Sequence, residues 1–469
     1  MHLQCPSCNR AYPLDTRLWR CECGGTFEIA GLPAFDPTTV DSTAAGLWRY
    51  RATLPLPDNA TPVTLGEVMT PLVETELEGL RFYCKVEYLS PTGSFKDRGT
   101  AVLVSVLRAL GVTKVVEDSS GNAGASLAAY TARAGIACRI FVPAHASPVK
   151  KAQIAAFGAQ LVCVPGPREN AARAVQQAAR KGAYYASHYY NPFGLAGLRT
   201  VAYELWEQLG RQAPANVVLP AGHGTLLLGI YRGFCDLKHS GLIAKLPRLF
   251  AVQAQTCAPL HAAFIQGSVE PLPVEEGTTV AEGVRISRPV RGRETLAAVQ
   301  DTVGQVLAVS DEETLTARDA LARRGLYVEP TSAVAIAALA RLRSVIRKDE
   351  TTVVLLTGSG FKGLPRQSRF QEKVRDFATQ HGLRYAPATH ALDLVAEVGE
   401  IAKEVLKSTD YGRRPFASTS ELAGELGDAL YALVALGDSC GIDLEHSLDE
   451  ALHKYEVRLR DTGHAGSNR

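Results

Sequence analysis

The stretch Lys85-Val-Glu-Tyr-Leu-Ser-Pro-Thr-Gly-Ser-Phe-Lys-Asp-Arg98 decides the reading of this chain. Lys96 follows the turn residues Pro91, Thr92 and Gly93 and stands beside Phe95. A lysine held on a turn against an aromatic ring is poorly hydrated. Desolvation disfavours the ammonium and frees the amine to attack a carbonyl. A surface lysine at a helix start would show the same local sequence, so neighbouring segments have to decide. Ser119-Ser-Gly-Asn-Ala-Gly-Ala-Ser126 follows the apolar run 114–117 and opens a helical pattern. Pro220-Ala-Gly-His-Gly-Thr225 follows 217–219 and opens another. Small residues at such places let backbone amides approach an anion at the positive helix end. One such loop is weak evidence. Two suggest one site for a phosphate and one for a substrate carboxylate. Thr357-Gly-Ser-Gly360 ends a further run at 352–356.

Around these motifs, residues 61–365 alternate short apolar runs with helical patterns. The runs are 114–117, 138–143, 160–164, 217–220, 249–254 and 352–357; helical patterns include 123–134, 147–157 and 169–181. This alternation predicts an α/β domain with a mostly parallel sheet. Gly363-Leu364-Pro365 breaks the pattern. Residues 366–460 show no strand but helical periodicity at 370–381, 390–407, 418–440 and 447–458, which predicts an all-α four-helix bundle. The tail beyond it is polar. Residues 1–30 form a cysteine-rich block, and the Pro- and Thr-rich residues 31–60 read as linker or irregular structure.

Composition narrows the classes. The 469 residues allow two to four domains, and 50 basic against 48 acidic residues give a net charge of +2. That balance argues against a nucleic-acid surface or a membrane partner. No run of about 18 apolar residues suggests a membrane span, and the N-terminus lacks the pattern of a secretion signal. Of the ten cysteines, six are scattered singly, which predicts reduced thiols and a cytoplasmic setting.

The other four are patterned. Cys5-x2-Cys8, twelve residues, then Cys21-x-Cys23 is the spacing of a zinc ribbon, with each pair on a tight turn. Four thiolates close the coordination shell, so a Zn²⁺ here is structural rather than catalytic. Four free thiols in a loose N-terminus is the alternative.

The ordered set of motifs in residues 61–364 resembles the fold-type II pyridoxal-phosphate (PLP) enzymes, the tryptophan-synthase-β-like group. Within that group it is similar to threonine synthases, the N-terminal ribbon included. Leu65-Gly-Glu-Val-Met-Thr-Pro-Leu72, Asn191-Pro192, Glu329-Pro-Thr-Ser-Ala333 and Thr357-Gly-Ser-Gly-Phe-Lys362 carry the likeness further. The resemblance implies that Lys96 holds PLP covalently and later moves protons. It implies that Asn122 bonds the ring hydroxyl, and that Ser119, Gly121 and Ala123 cradle the substrate carboxylate. Gly222, His223, Gly224 and Thr225 would bind the cofactor phosphate, with His223 facing solvent as the alternative. Thr357 would face the pyridine nitrogen, where a neutral hydroxyl favours elimination and replacement over transamination. The sequence departs from the pattern at Gly194, where many threonine synthases carry an arginine for the substrate phosphate. Arg199, Lys150 and Lys151 are candidate substitutes.

In the helical region, Glu397-Val-Gly-Glu400 and Glu425-Leu-Gly-Asp428 each place two carboxylates on one helical face. Converging carboxylates repel unless a cation sits between them, and hard oxygen ligands suit Mg²⁺. Two solvated acidic faces on amphipathic helices is the ordinary alternative. It does not explain why Gly399 and Gly427 recur at the same place. With Gly441-Ile-Asp-Leu444, the pattern in residues 370–458 resembles MazG-like nucleotide pyrophosphohydrolases, which implies a nucleoside triphosphate as second substrate.

The leading expectation is a homo-oligomeric PLP-dependent lyase or synthase acting on a small amino acid, threonine-synthase-like, converting O-phosphohomoserine to threonine and phosphate. It would be fused to a pyrophosphohydrolase module. The alternatives are a serine or threonine dehydratase or ammonia-lyase, and a non-catalytic PLP-binding scaffold whose bundle dimerises.

Overall fold

The computed structural model describes residues 1–144, 148–166, 168–362 and 369–462. The chain forms two compact units, Met1–Gly363 and Leu364–Arg469. The predicted break at Gly363-Leu364-Pro365, residue Ser147 and the end of the polar tail lie outside the described residues.

Among its described residues the first unit holds two large sheets and a small N-terminal one. One has six strands in the order Gln305–Val309, Arg248–Ala254, Asn216–Pro220, Thr352–Leu355, Leu80–Lys85, Leu72–Leu77. All neighbours in it are parallel except the last pair. The other has four parallel strands in the order Gln160–Val164, Ala137–Pro143, Lys114–Glu117, Tyr184–Tyr185. Helices flank both, as the strand–helix alternation predicts. Strands such as Val217, Val218 and Leu219 are buried without alternation, as a sheet covered on both faces requires. The strand expected at 352–357 stops at Leu355. Leu356 N–H turns to Lys85 O at 3.0 Å, and Thr357 O accepts from Phe95 N–H at 2.9 Å, which ties the strand end to the Lys96 turn.

The N-terminal block is a three-stranded antiparallel sheet, His2–Gln4 between Ala11–Tyr12 and Glu28–Ala30. It does not hang free. Leu3, Cys5, Cys21 and Phe27 join a core shared with the helix Lys96–Ala109. The fully buried Arg291 ion-pairs with Glu28 and Glu294 and donates to Phe27 O. Residues 31–60 are irregular but packed rather than loose. Phe35, Leu47 and Tyr50 are all 2 % exposed or less, because this Pro-rich stretch carries large apolar side chains that have to be covered.

One buried charge network braces the lysine turn from below. Arg98 bonds Glu87 and Glu204, and Lys85 reaches Glu204 at 2.6 Å, all but fully buried. Removing one member strands opposite charge in a low-dielectric interior. Arg98→Met is expected to cost about 3–5 kcal/mol in denaturant unfolding of the full chain. A loss below about 1 kcal/mol would show that the carboxylates find water on their own.

The second unit is helical: Arg369–Gln380, Pro387–Ser408, Ser420–Ser439 and Leu444–Thr462. Four helices are present among the described residues, but their apolar faces are not closed into one core. Ala432, Val434 and Ala435 are buried, whereas Leu392, Val395 and Val398 are 74, 70 and 53 % exposed. Too few helices face this side to cover it. Gly399 and Gly427 meet no neighbour where a Cβ would stand, so nothing in the structure explains their recurrence. No helix among the described residues is long and apolar enough to cross a membrane.

Candidate active site

The site lies where strands end, as open α/β sheets favour. Lys96 is the first residue of the helix Lys96–Ala109. Its turn is rigid: the buried Asp97 carboxylate accepts from Thr92 N–H, Thr92 Oγ1 and Ser126 Oγ, each at 2.6 Å. Lys96 Nζ sits 4.6 Å from the centre of the Phe95 ring. Burial pushes this amine down to about 8, against the smaller opposing pull of Glu117 and Glu329. Lys96, Ala123 and Thr225 line one cavity, together with Glu117, His188 and Gly194.

Ser119 and Gly121 form the turn at the start of the helix Asn122–Ala134, with Gly121 N–H reaching Ser119 Oγ at 3.3 Å. Gly124 must lack a side chain here, because a Cβ would stand 1.9 Å from Ser119 O. Asn122 donates its amide to the Glu329 carboxylate at 3.0 and 3.2 Å. Gly222, His223 and Gly224 precede the helix Thr225–His239. Gly224 has φ +89°, and a Cβ on it would overlap Thr295 Oγ1, so the loop takes only glycine. Thr357 is buried, with its hydroxyl 3.0 Å from Ser332 Oγ.

His223 tests the phosphate assignment. Its ring stacks on Tyr189 at 4.2 Å, and Nδ1 accepts from Val290 N–H at 3.4 Å. That leaves the proton on Nε2, which is buried with no partner among the described residues. Burial holds the ring well below the usual histidine range, with Arg168 and Lys96 adding to the shift. A neutral N–H donor, the amides of a helix start and the small residues around them fit a phosphate group.

The expected substitutes for an arginine at Gly194 are engaged elsewhere. Arg199 ion-pairs with Asp236 at 3.2 Å, and Lys151 Nζ reaches Ala144 O at 3.1 Å. The Lys150 side chain lies outside the described residues. Gly194 itself has room, since a Cβ would meet nothing nearer than 3.6 Å.

Residues 63–358 match the family model described as pyridoxal-phosphate dependent enzyme. The chain belongs to this family of PLP-dependent enzymes. It is 36 % identical over 377 residues to the threonine synthase of Methanocaldococcus jannaschii, covering 76 % of this chain and 92 % of that one. With the threonine synthase of Mycobacterium tuberculosis it shares 37 % identity over 324 residues, 67 % of this chain and 87 % of that one. Among solved structures, a threonine deaminase from T.th. superimposes with a TM-score of 0.54 at 27 % identity, covering 63 % of this chain and 94 % of that one. A fungal L-serine ammonia-lyase from Rhizomucor miehei, 23 % identical with a TM-score of 0.56 over 62 % of this chain and 94 % of that one, shows the same fold. Residues 386–462 match the MazG nucleotide pyrophosphohydrolase domain.

Two further groups of the PLP enzyme gather potential ligands. The sulfurs of Cys5, Cys8, Cys21 and Cys23 all lie within 4.8 Å of one another, with Cys5–Cys23 and Cys8–Cys21 at 3.5 Å. In the helical unit, carboxylate oxygens of Glu397, Glu425 and Asp428 come within 4.8 Å of one another. Glu400 is not in that group; Lys403 holds its Oε2 at 2.6 Å.

Sequence reading passed over Glu117, His188 and Ser332. The available signal for the first was a Glu-Asp pair closing a buried apolar strand, where charge is costly and needs a reason.

Proposed function

We propose that the first unit is a PLP-dependent lyase or synthase that carries out β- or γ-elimination or replacement on a small amino acid. The observation that carries this reading is a buried, weakly basic Lys96 in one cavity with two glycine-rich helix starts. When bound, PLP supplies an electron sink for bond breaking at Cα. Lys96 holds it and moves the Cα proton. Ser119, Gly121 and Ala123 take the substrate carboxylate at one helix start, and Gly222, His223, Gly224 and Thr225 take the cofactor phosphate at the other. Asn122 and Thr357 orient the ring with neutral groups.

Threonine formation from O-phosphohomoserine leads, on the relatives' activity. The bare Gly194 and the committed Arg199 favour a second reading, a serine or threonine dehydratase, whose substrate carries no phosphate. An amino-acid panel scored for phosphate, ammonia and keto acid separates them: phosphate from O-phosphohomoserine alone supports the first, ammonia from serine or threonine the second. Release of none of the three overturns both.

The lysine environment sets a pH dependence. At pH 7.5 an amine of pKa about 8 is roughly one-quarter neutral, against about 0.1 % for an exposed lysine. Only the neutral amine attacks. Recombination of cofactor-free protein with PLP is therefore expected to speed up with pH, with a midpoint near about 8, and then level off. A rate still climbing towards pH of about 10 contradicts a desolvated Lys96.

For residues 1–30 we propose a structural Zn²⁺. A tetrahedron with metal–sulfur bonds of about 2.3 Å has edges of about 3.8 Å, inside the spread of these four sulfurs. Metal analysis is expected to find one zinc per chain, lost in a Cys5→Ser/Cys8→Ser variant. Because this sheet packs into the main core, the variant should also melt earlier; equal zinc in both proteins refutes the assignment.

The remaining modules are read as a packed connector at 31–60, a catalytic domain at 61–365 and a MazG-like domain at 366–460. For the last we propose nucleoside triphosphate hydrolysis with Mg²⁺ on Glu397, Glu425 and Asp428, with Glu400 in support. Self-association would cover its exposed leucine and valine face. A cytoplasmic setting fits ten free cysteines.

A further inference from the structure

The strand Lys114–Glu117 ends on two carboxylates, 1 and 2 % exposed. Asp118 is accounted for: it accepts from Tyr185 at 2.8 Å and Tyr189 at 3.2 Å. Glu117 is not. Its Oε1 lies 2.8 Å from His188 Nδ1, and its Oε2 is buried with no partner among the described residues. A carboxylate placed this way is costly unless it does something. His188 turns this feature toward the chemistry, since both residues line the cavity that holds Lys96. With Nδ1 turned to Glu117, Nε2 is the ring nitrogen left for other work. The His188 ring sits edge-on to Tyr189 and His223, at 4.9 and 5.9 Å.

We propose that His188, positioned by Glu117, is a second acid–base residue of this site, serving the substrate's leaving group while Lys96 serves Cα. The proposal rests on the elimination or replacement reading above. An elimination needs at least two proton transfers at different atoms, one at Cα and one at the leaving group; with O-phosphohomoserine Lys96 would also carry a proton from Cβ to Cγ, which leaves the departing oxygen to a second residue. At Gly194 no side chain offers a charge to the departing group, so a proton has to do that work.

The charge state of the pair suits the role. Burial, then the neighbouring Asp118, raises Glu117 well above the usual carboxylate range. Burial, then the charges of Lys96, His223 and Arg168, keeps His188 neutral well below its usual range. Lys96, Asp118, Cys138, Arg168, Tyr185, Tyr189 and His223 are the titratable or charged groups that face the pair. A protonated Glu117 bonded to Nδ1 leaves the second proton on Nε2. As the C–O bond breaks, its electron pair leaves with the oxygen, which takes the Nε2 proton, while the Glu117 proton passes to Nδ1. In replacement, the entering water forms the new C–O bond and returns its proton to Nε2, and the Glu117 proton goes back. Glu117 thus acts through His188 and touches no reacting atom.

The test uses the full-length holoenzyme in D2O with O-phosphohomoserine, L-serine and L-threonine. Deuterium entry at Cα reports Lys96, and release of phosphate or ammonia reports the leaving-group step. His188→Asn is expected to lower release about 100-fold or more while exchange stays within about threefold. Glu117→Gln, nearly isosteric, is expected to lower release about tenfold and move its pH profile, and Glu117→Asp to restore part of it. Retained exchange shows that the variant is folded and loaded; if His188→Asn loses its cofactor, the Glu117 pair of variants decides. In cofactor-free protein with ¹⁵N-labelled histidine, His188 is expected to stay neutral at pH values where an exposed histidine is charged. Exchange and release falling together, release unchanged in His188→Asn, or a charged His188 at pH 7 overturns the inference. No exchange by the unaltered enzyme with any of the three substrates overturns the proposed function itself, and this inference with it.

Discussion

Lys96→Ala is expected to remove the visible band of the holoenzyme, near about 410–420 nm, and to lower turnover by about 10³-fold or more. The loss is large because one atom has two duties. On the proposed function, Lys96 Nζ would hold the cofactor and the same amine would move the Cα proton. Neither duty has a substitute among the residues that line the cavity: its histidine, His188, is a weakly basic ring held neutral by burial. The backbone should survive the change, because the turn is pinned by Asp97 and by Phe95 N–H on Thr357 O rather than by the lysine. PLP should therefore still bind, non-covalently, at the 222–225 loop. Borohydride followed by mass analysis reads the result: a reducible adduct on the wild-type chain at Lys96 and none on the variant. An adduct of equal yield in Lys96→Ala would mean that another lysine carries the cofactor, and would falsify the assignment.

The backbone of this enzyme was more legible than its chemistry. The strand Lys114–Glu117 and the helices Asn122–Ala134 and Arg168–Arg180 lie where periodicity puts them, because a buried parallel strand and an amphipathic helix each leave a local trace. Lys96 was legible for a related reason: the turn that desolvates it is written in adjacent residues. His188 was not, because what makes it interesting is Glu117, 71 positions away. Glu329 stood inside a quoted motif, yet its bond to Asn122 spans 207 positions. Residues 31–60 misled in another way. Pro and Thr suppress regular structure, but only burial of Phe35, Leu47 and Tyr50 shows that irregular here means packed.

The helical unit shows the limit of a spacing argument. Both carboxylate pairs do share a helical face, as i, i+3 geometry requires. Only Glu397, Glu425 and Asp428 meet, because Glu400 leans one turn along its helix to Lys403. The recurrence of Gly399 and Gly427 does not support a close approach, since a Cβ at either would meet nothing within 4 Å.

That geometry changes which substitutions matter for nucleotide hydrolysis. Glu397→Gln and Asp428→Asn are each expected to abolish Mg²⁺-dependent release of pyrophosphate from nucleoside triphosphates by the full-length chain, by about 10³-fold. Glu400→Gln is expected to cost less, because its oxygen already has a partner. The physical argument is charge. Desolvation, then Asp428, Asp393, Glu425 and Glu400, raises the Glu397 carboxyl above its usual range. A divalent cation among these oxygens reverses the repulsion, so metal binding keeps all three ionised. Lowering the pH protonates Glu397, and Mg²⁺ affinity should fall with it. A metal held by these oxygens would bind the triphosphate and polarise a water, with one of the acids as base. The activity should persist in Lys96→Ala, since its ligands belong to the second unit alone. Calorimetry with Mg²⁺ and a pyrophosphate assay on each common nucleotide check both halves. Metal binding without turnover leaves a structural cation site. Neither binding nor turnover in the unaltered enzyme returns the three carboxylates to a solvated acidic face.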